Sequence, residues 1–595
     1  MKLKNTRTTV LISVFITIFA LNLGFIFTNL PISKATNQIT FIEGLSISAT
    51  YTIPKEIDDT DPTKDWANAS AEGICTGTGT SGDPYIISGD FFNLTSGTAL
   101  TIRNSRKHFR VINCEFKTSG FVAAIDLVNT TNGLVEDNQI VIIFVGISVD
   151  NCSQISFVNN NVSLCGRGLN IADSHDLDFN LNLVDGSSWD YGVYLDNCED
   201  VTFMDNTISE SVAAGVFLDD CNDIIFTDNT IFNNTNGIYN QRSNGTRIEG
   251  NTIGPNSMNG IYVYQSWGGI ITDNDINGNT DDGIMLEQSG LFTISLNQAN
   301  DNYRGIYIYD SSLYNTLSEN TANNNALSGI DVREYSHNTT LLKNTVNHNG
   351  EEGIWLFDSE NSVISDNIAL NNTRNGIRLN YGINLICENN EANNNHINGI
   401  RLFDNDDSLI DSNDAQYNAE NGILLIQSSE RNFLTGNMAS YNNMSGIALQ
   451  SSSNDNIIYQ NTVSDNMEHG IFFVNGDSNF ITLNTANNNE LNGIHLLSSD
   501  DNVIFSNTAN NNNNGTYLAT SNNNKILGNT FLNNLVCYNE TGSVNNLFED
   551  NICTAPVTSS PGLDPFILGL IIGLAIGLGA LAAVIILSFV RGRKK

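Results

Sequence analysis

The sequence predicts an all-β chain: a parallel β-helix solenoid of about 20 coils, closed by a C-terminal transmembrane helix. Three observations carry this. A Gly followed by Ile or another apolar residue recurs from Gly146 through Gly329, Gly353, Gly376, Gly399 and Gly422 to Gly515, at intervals of 22 to 24 residues. An Asn keeps the same beat from Asn138 through Asn344, Asn367 and Asn413 to Asn551, blurred only at Asn389 and Asn390. Near the end, 25 residues from Phe566 to Val590 carry no charge.

Within one unit, Ile354 and Leu356 alternate with Trp355 and Phe357, the period-two pattern of a strand with one buried face. Ile364 is the inward residue of a second short strand. Asn367 follows, and stacked copies of it predict an amide ladder at a turn where Asn tolerates left-handed backbone. Asn372 reads as an ordinary loop position. Ordering one coil costs on the order of 30 kcal/mol, against roughly 10 returned by its inward side chains, so a coil stands only by stacking on its neighbours. Three strands and three turns per coil follow. Two residues beyond the ladder Asn, Ile208, Ile231, Ile253 and Ile276 give way to Ala299, Ala322, Ala369 and Ala392, which predicts a thinner second half.

With these features in place, the repeat resembles the right-handed parallel β-helix of pectate-lyase-like proteins, and most nearly the NosD-type periplasmic copper-binding group. The lead-in Gly77-Thr-Gly-Thr-Ser-Gly-Asp-Pro-Tyr-Ile-Ile87 is similar to the entry of the first coil in surface proteins of that group. The resemblance spans residues 75 to 552 and speaks to fold, because the repeat itself carries no chemistry.

Residues 1–35 read as a signal peptide, with Lys2, Lys4 and Arg7 before an apolar run and Ser33-Lys34-Ala35 as the cleavage site. Residues 36–84 form an N-terminal cap and entry, 85–552 the repeats, and 553–565 a linker. The apolar stretch 566–590 is the expected membrane helix, about 37 Å long against a hydrocarbon core of about 30 Å. The basic tail 591–595 places the C-terminus in the cytoplasm and the β-helix outside, on the cell surface. Gly569, Gly573 and Gly577 offer a homodimer seam in that helix.

A formal charge of −38 excludes nucleic acid as a partner class. Cys152, Cys198 and Cys221 share one phase of the repeat and read as a small apolar ladder. Cys537 with Cys553, or Cys75 with Cys114, are better placed for disulfides.

The outward positions of the Gly-Ile strand are the informative ones. They hold Tyr262, Tyr264, Tyr307, Tyr309, Asp331, Arg333, Trp355, Phe357, Arg378, Arg401 and Phe403. Between residues 120 and 550 there are only eleven Lys and Arg, and Arg333, Arg374, Arg378 and Arg401 fall within four coils. Flat rings offer stacking faces for sugars, and Arg pairs bidentately with carboxylates.

These residues favour an elongated binding face for glycans, acidic ones above all, or for a partner surface protein. The alternatives are a surface polysaccharide lyase, hydrolase or epimerase, a structural envelope spacer, and a NosD-like metal-accessory protein. For catalysis, Glu287 and Asp331 stand two coils apart, about 10 Å by strand spacing, wide even for an inverting pair. No catalytic residue can be assigned. For metal delivery, the seven His residues occupy different phases, and Met444, Met467 and His469 are the nearest neighbours. No cofactor is required, although Asp404 to Asp407 leaves room for Ca2+.

Overall fold

The computed structural model describes residues 48–118 and 120–553. Over this span the chain winds as a parallel β-helix. One strand of each coil joins a first sheet that runs from Lys55–Asp58 through Ile354–Phe357 to Val536–Thr541, twenty-one strands in all. A second sheet of twenty-one strands runs from Tyr85–Ser88 through Val363–Ser365 to Leu547–Glu549. Every rung is parallel. Ile330, Ile354, Ile377 and Ile400 are successive partners and are completely buried.

The third side is full in the early coils and re-forms later as a two-stranded pair, Thr530–Phe531 with Ile552–Cys553. Nine strands pair from Thr50–Tyr51 to Thr252–Ile253. Beyond them the side continues as single bridges through Asp275, Gln298, Thr321 and Thr345 towards Thr530. The strand is lost one coil before the inward residue changes, since Asp275 already makes a single bridge beside Ile276. A Cβ added at Gly260 would meet Ile276 Cγ2 at 2.4 Å, whereas one at Gly305 would meet Ala322 Cβ at 2.6 Å. The gap is the same but the side chain filling it is shorter, so the backbones draw together in the later coils.

The Asn367 ladder is present. Asn367 Nδ2 donates to Asn390 Oδ1 at 3.0 Å and to the Leu341 carbonyl at 3.0 Å, and the same pattern runs to Asn551. The left-handed residue is the one before the ladder Asn, as at Asp366 with φ 58° and Asn389 with φ 55°. Asn372 is not a loop position. It is fully buried in a second amide ladder, donating to Asn395 Oδ1 at 3.1 Å and accepting from Asn349. The cysteine phase is a polar ladder too, because Cys152 N–H donates to Ser174 Oγ and Cys221 N–H to Ser243 Oγ. Cys537 and Cys553 are disulfide-bonded, while Cys75 and Cys114 are separate buried thiols.

Towards the N-terminus, helix Trp66–Ala71 starts at Asp65, whose carboxylate accepts from Asn68 N–H. Trp66 stacks on Tyr85 at 4.7 Å and donates to Ser105 Oγ at 2.9 Å. This is the only α-helix among the described residues, and no helix among them is long and apolar enough to cross a membrane. Six residues rise about 9 Å, far short of a hydrocarbon core of about 30 Å. The expected fold class is corrected accordingly: among the described residues it is an all-β solenoid with no transmembrane helix. The single-pass placement in the cell membrane, with a cytoplasmic C-terminus, is corrected with it, because no helix among the described residues can cross a membrane. The sequence stretches that suggested signal peptide, membrane helix and glycine seam lie outside the described residues.

Candidate functional site

The outward residues of the first sheet form two rows. Strand register sets Tyr307, Asp331, Trp355, Arg378 and Arg401 side by side in the inner row. Arg333, Phe357, Asn380 and Phe403 make the outer row. Strand spacing of about 4.8 Å brings each member against the next, so five coils present a continuous strip.

The strip is less exposed than alternation implies. Tyr307 is 7 % exposed and Asp331 is 0 %. Flat groups cover one another. Arg304 lies 3.8 Å over the Tyr307 ring, and Trp355 is sandwiched between Arg333 at 3.8 Å and Arg378 at 4.3 Å. Each such contact adds roughly 0.5 to 2 kcal/mol while it orients the guanidinium. Phe357, Tyr381 and Phe403 continue the rim edge to face at 5.2 and 5.4 Å. Tyr309 sits against Tyr307 at 5.2 Å, and Tyr262 against Tyr264 at 6.3 Å, with the Tyr262 hydroxyl donating to Glu287.

Three functional residues escape the alternation argument because they precede the repeat glycine: Asp282, Arg304 and Glu352. In the coils on either side, at Asn236 and Asn259 and again at Asn375, Asn398 and Asn421, this position is an amide in a third ladder. Asn259 N–H donates to Asn236 Oδ1, and Asn398 and Asn421 repeat the bond further on. Four successive members, Asp282, Arg304, Ser328 and Glu352, replace the amides where the rings and arginines gather. Reading this one column down the repeat reveals the break.

The charges pair unevenly. Arg333 clamps Asp331 with two bonds of 2.7 and 2.6 Å. Glu352, fully buried, accepts from Arg378 Nη1 at 3.0 Å and from both nitrogens of Asn375 at 2.8 and 2.9 Å. Among the described residues Arg401 has neither a hydrogen bond nor an ion pair, only the Phe403 face at 5.2 Å and the longer-range pull of Glu352 and Glu420. Burial first, and then the neighbouring Arg378 charge, hold its guanidinium below the usual range. Burial pushes the Asp331 carboxyl up, against the pull of Arg333 and Arg304. Buried Asp282 is raised to about 7, by desolvation above all. Unpaired polar atoms concentrate here as well: Asp282 Oδ1, Arg304 Nε, Ser328 Oγ and Trp355 Nε1 are buried without a hydrogen-bond partner. Native interiors satisfy nearly all such atoms, and a cluster of exceptions calls for an explanation.

Two family models match the chain. One, described as a right-handed beta helix region, covers residues 191–346 and 312–415. The other, described as periplasmic copper-binding protein (NosD), covers 58–214 and 426–559. No curated protein matches. Among solved structures, the periplasmic alginate epimerase AlgG is 14% identical over 69% of this chain and 84% of that one, with a TM-score of 0.28. The mannuronan C-5 epimerase AlgE4 A-module of Azotobacter vinelandii is 12% identical over 61% and 91%, with a TM-score of 0.29. DFA-IIIase from Arthrobacter chlorophenolicus A6 is 9% identical over 60% and 94%, with a TM-score of 0.25. At such scores these likenesses say nothing of activity.

The donor set does not fit the copper that the second description names. Burial pushes the thiols up, to about 11 at Cys75 and about 12 at Cys114, Cys165 and Cys387, so they stay protonated. His469 Nε2 and His495 Nδ1 are committed to each other at 3.1 Å. Among the described residues no three His, Cys, Asp or Glu converge on a point. At the turn considered for calcium, Arg431 already occupies Asp406 and Asp407, at 2.7 and 2.9 Å.

Proposed function

The chain belongs to the right-handed parallel β-helix repeat proteins and is related to the NosD group, and from that premise we propose that its first sheet presents an elongated binding face for carbohydrate chains that carry acidic groups. The observation that carries the reading is Arg401. Its neighbours Arg333 and Arg378 each hold a buried carboxylate, yet Arg401, half-buried beside a like charge, has no hydrogen-bonded counter-ion among the described residues and feels Glu352 and Glu420 only at longer range. In a chain of formal charge −38, an arginine without a bonded counter-ion on a strip of rings fits an external anion. The less covered rings at Phe357, Tyr381 and Phe403 supply stacking surfaces beside it.

An enzymatic reading has less to work with. Asp331 and Glu352 are tied up by arginine and amide donors, and Glu287 by Tyr262, which leaves no pair of free carboxylates flanking one bond. A partner protein with acidic side chains would use the same guanidinium but not the run of rings.

The test is a binding screen of the full-length chain against neutral and uronate-containing polysaccharides, with product analysis on the same samples. Tyr381→Ala is expected to weaken binding of both kinds by roughly 1 to 3 kcal/mol, from the area an exposed ring buries. Arg401→Gln is expected to weaken acidic chains alone and to reduce their salt dependence. Binding of no glycan, or parental affinity in both variants, would overturn the reading.

A further inference from the structure

We propose that Asp282 is a proton switch on this face: once protonated, it releases Arg304 to an anionic group of the bound chain, so that capture of an acidic ligand is linked to proton uptake. The inference rests on the binding face proposed above and adds its regulation.

The geometry leaves Arg304 shared and poorly held. Its Nη1 is 3.4 Å from Asp282 Oδ2, and its Nε is 3.9 Å from Asp331 Oδ2. Asp331 is already satisfied by the Arg333 fork, so Asp282 is the partner that holds Arg304 back. The guanidinium rests on Tyr307, in line with the strip, and its side chain keeps 17 % of its surface in solvent. A short rotation about the stem would present it beside the inner row.

Asp282 itself is costly to keep ionised. Its side chain is 3 % exposed and Oδ1 has no hydrogen-bond partner. The preceding coil meets it with the neutral amide of Asn259, whose Oδ1 accepts the Asp282 N–H. Its own turn adds the like charge of Asp281, and the coils that follow add Arg304 and Asp331. One long ion pair and the Arg304 backbone N–H stand against burial and two like charges. The balance puts its titration at about 7.

The sign follows. Below that value Asp282 is neutral, Arg304 loses its nearer counter-ion and keeps only the 3.9 Å contact with Asp331, already held by Arg333, and an external oxyanion can take the place of Asp282. Above it, the carboxylate reclaims Arg304 and competes with the ligand. By linkage, an acidic ligand raises the Asp282 titration point, and affinity rises at most tenfold per pH unit as pH falls through it.

The experiment measures Kd for a polyuronate, a sulfated glycan and a neutral glucan between pH 5.5 and pH 8.5, chosen as about 1.5 units either side of the titration point. Three full-length proteins are compared: the parent, Asp282→Asn and Arg304→Gln. Asn occupies this column in the two preceding coils, at Asn236 and Asn259, so Asp282→Asn suits the ladder, and thermal melts verify each fold. The parent is expected to bind both acidic chains several-fold more tightly at the acid end, with the neutral glucan unaffected. Asp282→Asn is expected to keep the tight value at every pH, and Arg304→Gln the weak one. If acidic chains bind but parent and Asp282→Asn share one pH profile, the switch is overturned while the binding face stands. If only one of the two acidic chains responds, the oxyanion is assigned to that chemistry. If no glycan binds at any pH, the binding face and the switch fall together.

Discussion

Asn367 and Asn372 belong to the same coil and look alike in sequence, and both recur at the repeat period, the second column running from Asn234 through Asn349 and Asn395 to Asn534. Both are fully buried, and both bond from coil to coil through Oδ1 and Nδ2. Replacing either with Leu strands a buried amide on each side, and the expected cost is about 1 to 3 kcal/mol at each site. Chemical denaturation of the two single variants checks this, and a silent Asn372→Leu would show that the second ladder adds nothing. The candidate site behaves similarly at this scale. Trp355, Arg378 and Arg401 follow from alternation, because a strand that buries Ile354 and Leu356 turns their neighbours outward. Their pairing does not follow. Nothing in spacing distinguishes Arg378, held by Glu352, from Arg401, held by no carboxylate.

At the scale of the strand and turn, the repeat glycine is the element that cannot change. A Cβ at Gly353 would lie 2.6 Å from the Gly376 carbonyl oxygen, 2.7 Å from Asn372 Nδ2 and 3.0 Å from Ala369 Cβ. Two of these neighbours are fixed by ladders, so Gly353→Ala is expected to destabilise its coil by about 1 to 3 kcal/mol through overpacking. Gly268, with φ 73° and nothing near its missing Cβ, is a contrasting control in which only backbone strain is at stake. Equal losses at Gly353 and at a surface Ala would refute the packing argument. The third side shortens to one bridging residue at Asp275, beside Ile276, and Ala at the inward position from Ala299 onwards then lets the turn move in. The Ile-to-Ala change is visible in the sequence, but the loss of the strand, one coil earlier, is not.

For the whole solenoid, stability is expected to depend on the stacked histidines of strands His469–Val474 and Asn492–Leu497. Burial lowers His469 to about 3, with help from His495, and lowers His495 to about 4. The unfolded chain takes up these protons near pH 6.5, before the folded one does, so their contribution is complete above that value. It is lost progressively as pH falls towards 3 to 4. The raised carboxyls of Asp90 and Asp282 act in the opposite direction at mildly acid pH, so the test is comparative. The pair His469→Asn and His495→Phe, which copies the residues one coil away at each position, is expected to lose less of its melting temperature than the parent between pH 7 and pH 4. Equal losses would remove the histidines from the account. The sequence by itself determined the solenoid, its period, its inward residues and the strip of rings, because a repeat that buries its faces only by stacking must write the same constraint into every coil. Tertiary structure alone decided which charges neutralise one another, where buried polar atoms go unpaired and where the third sheet dissolves. Those outcomes depend on contacts between side chains about 22 to 27 residues apart, in which a few tenths of an ångström separate a bonded guanidinium from a free one.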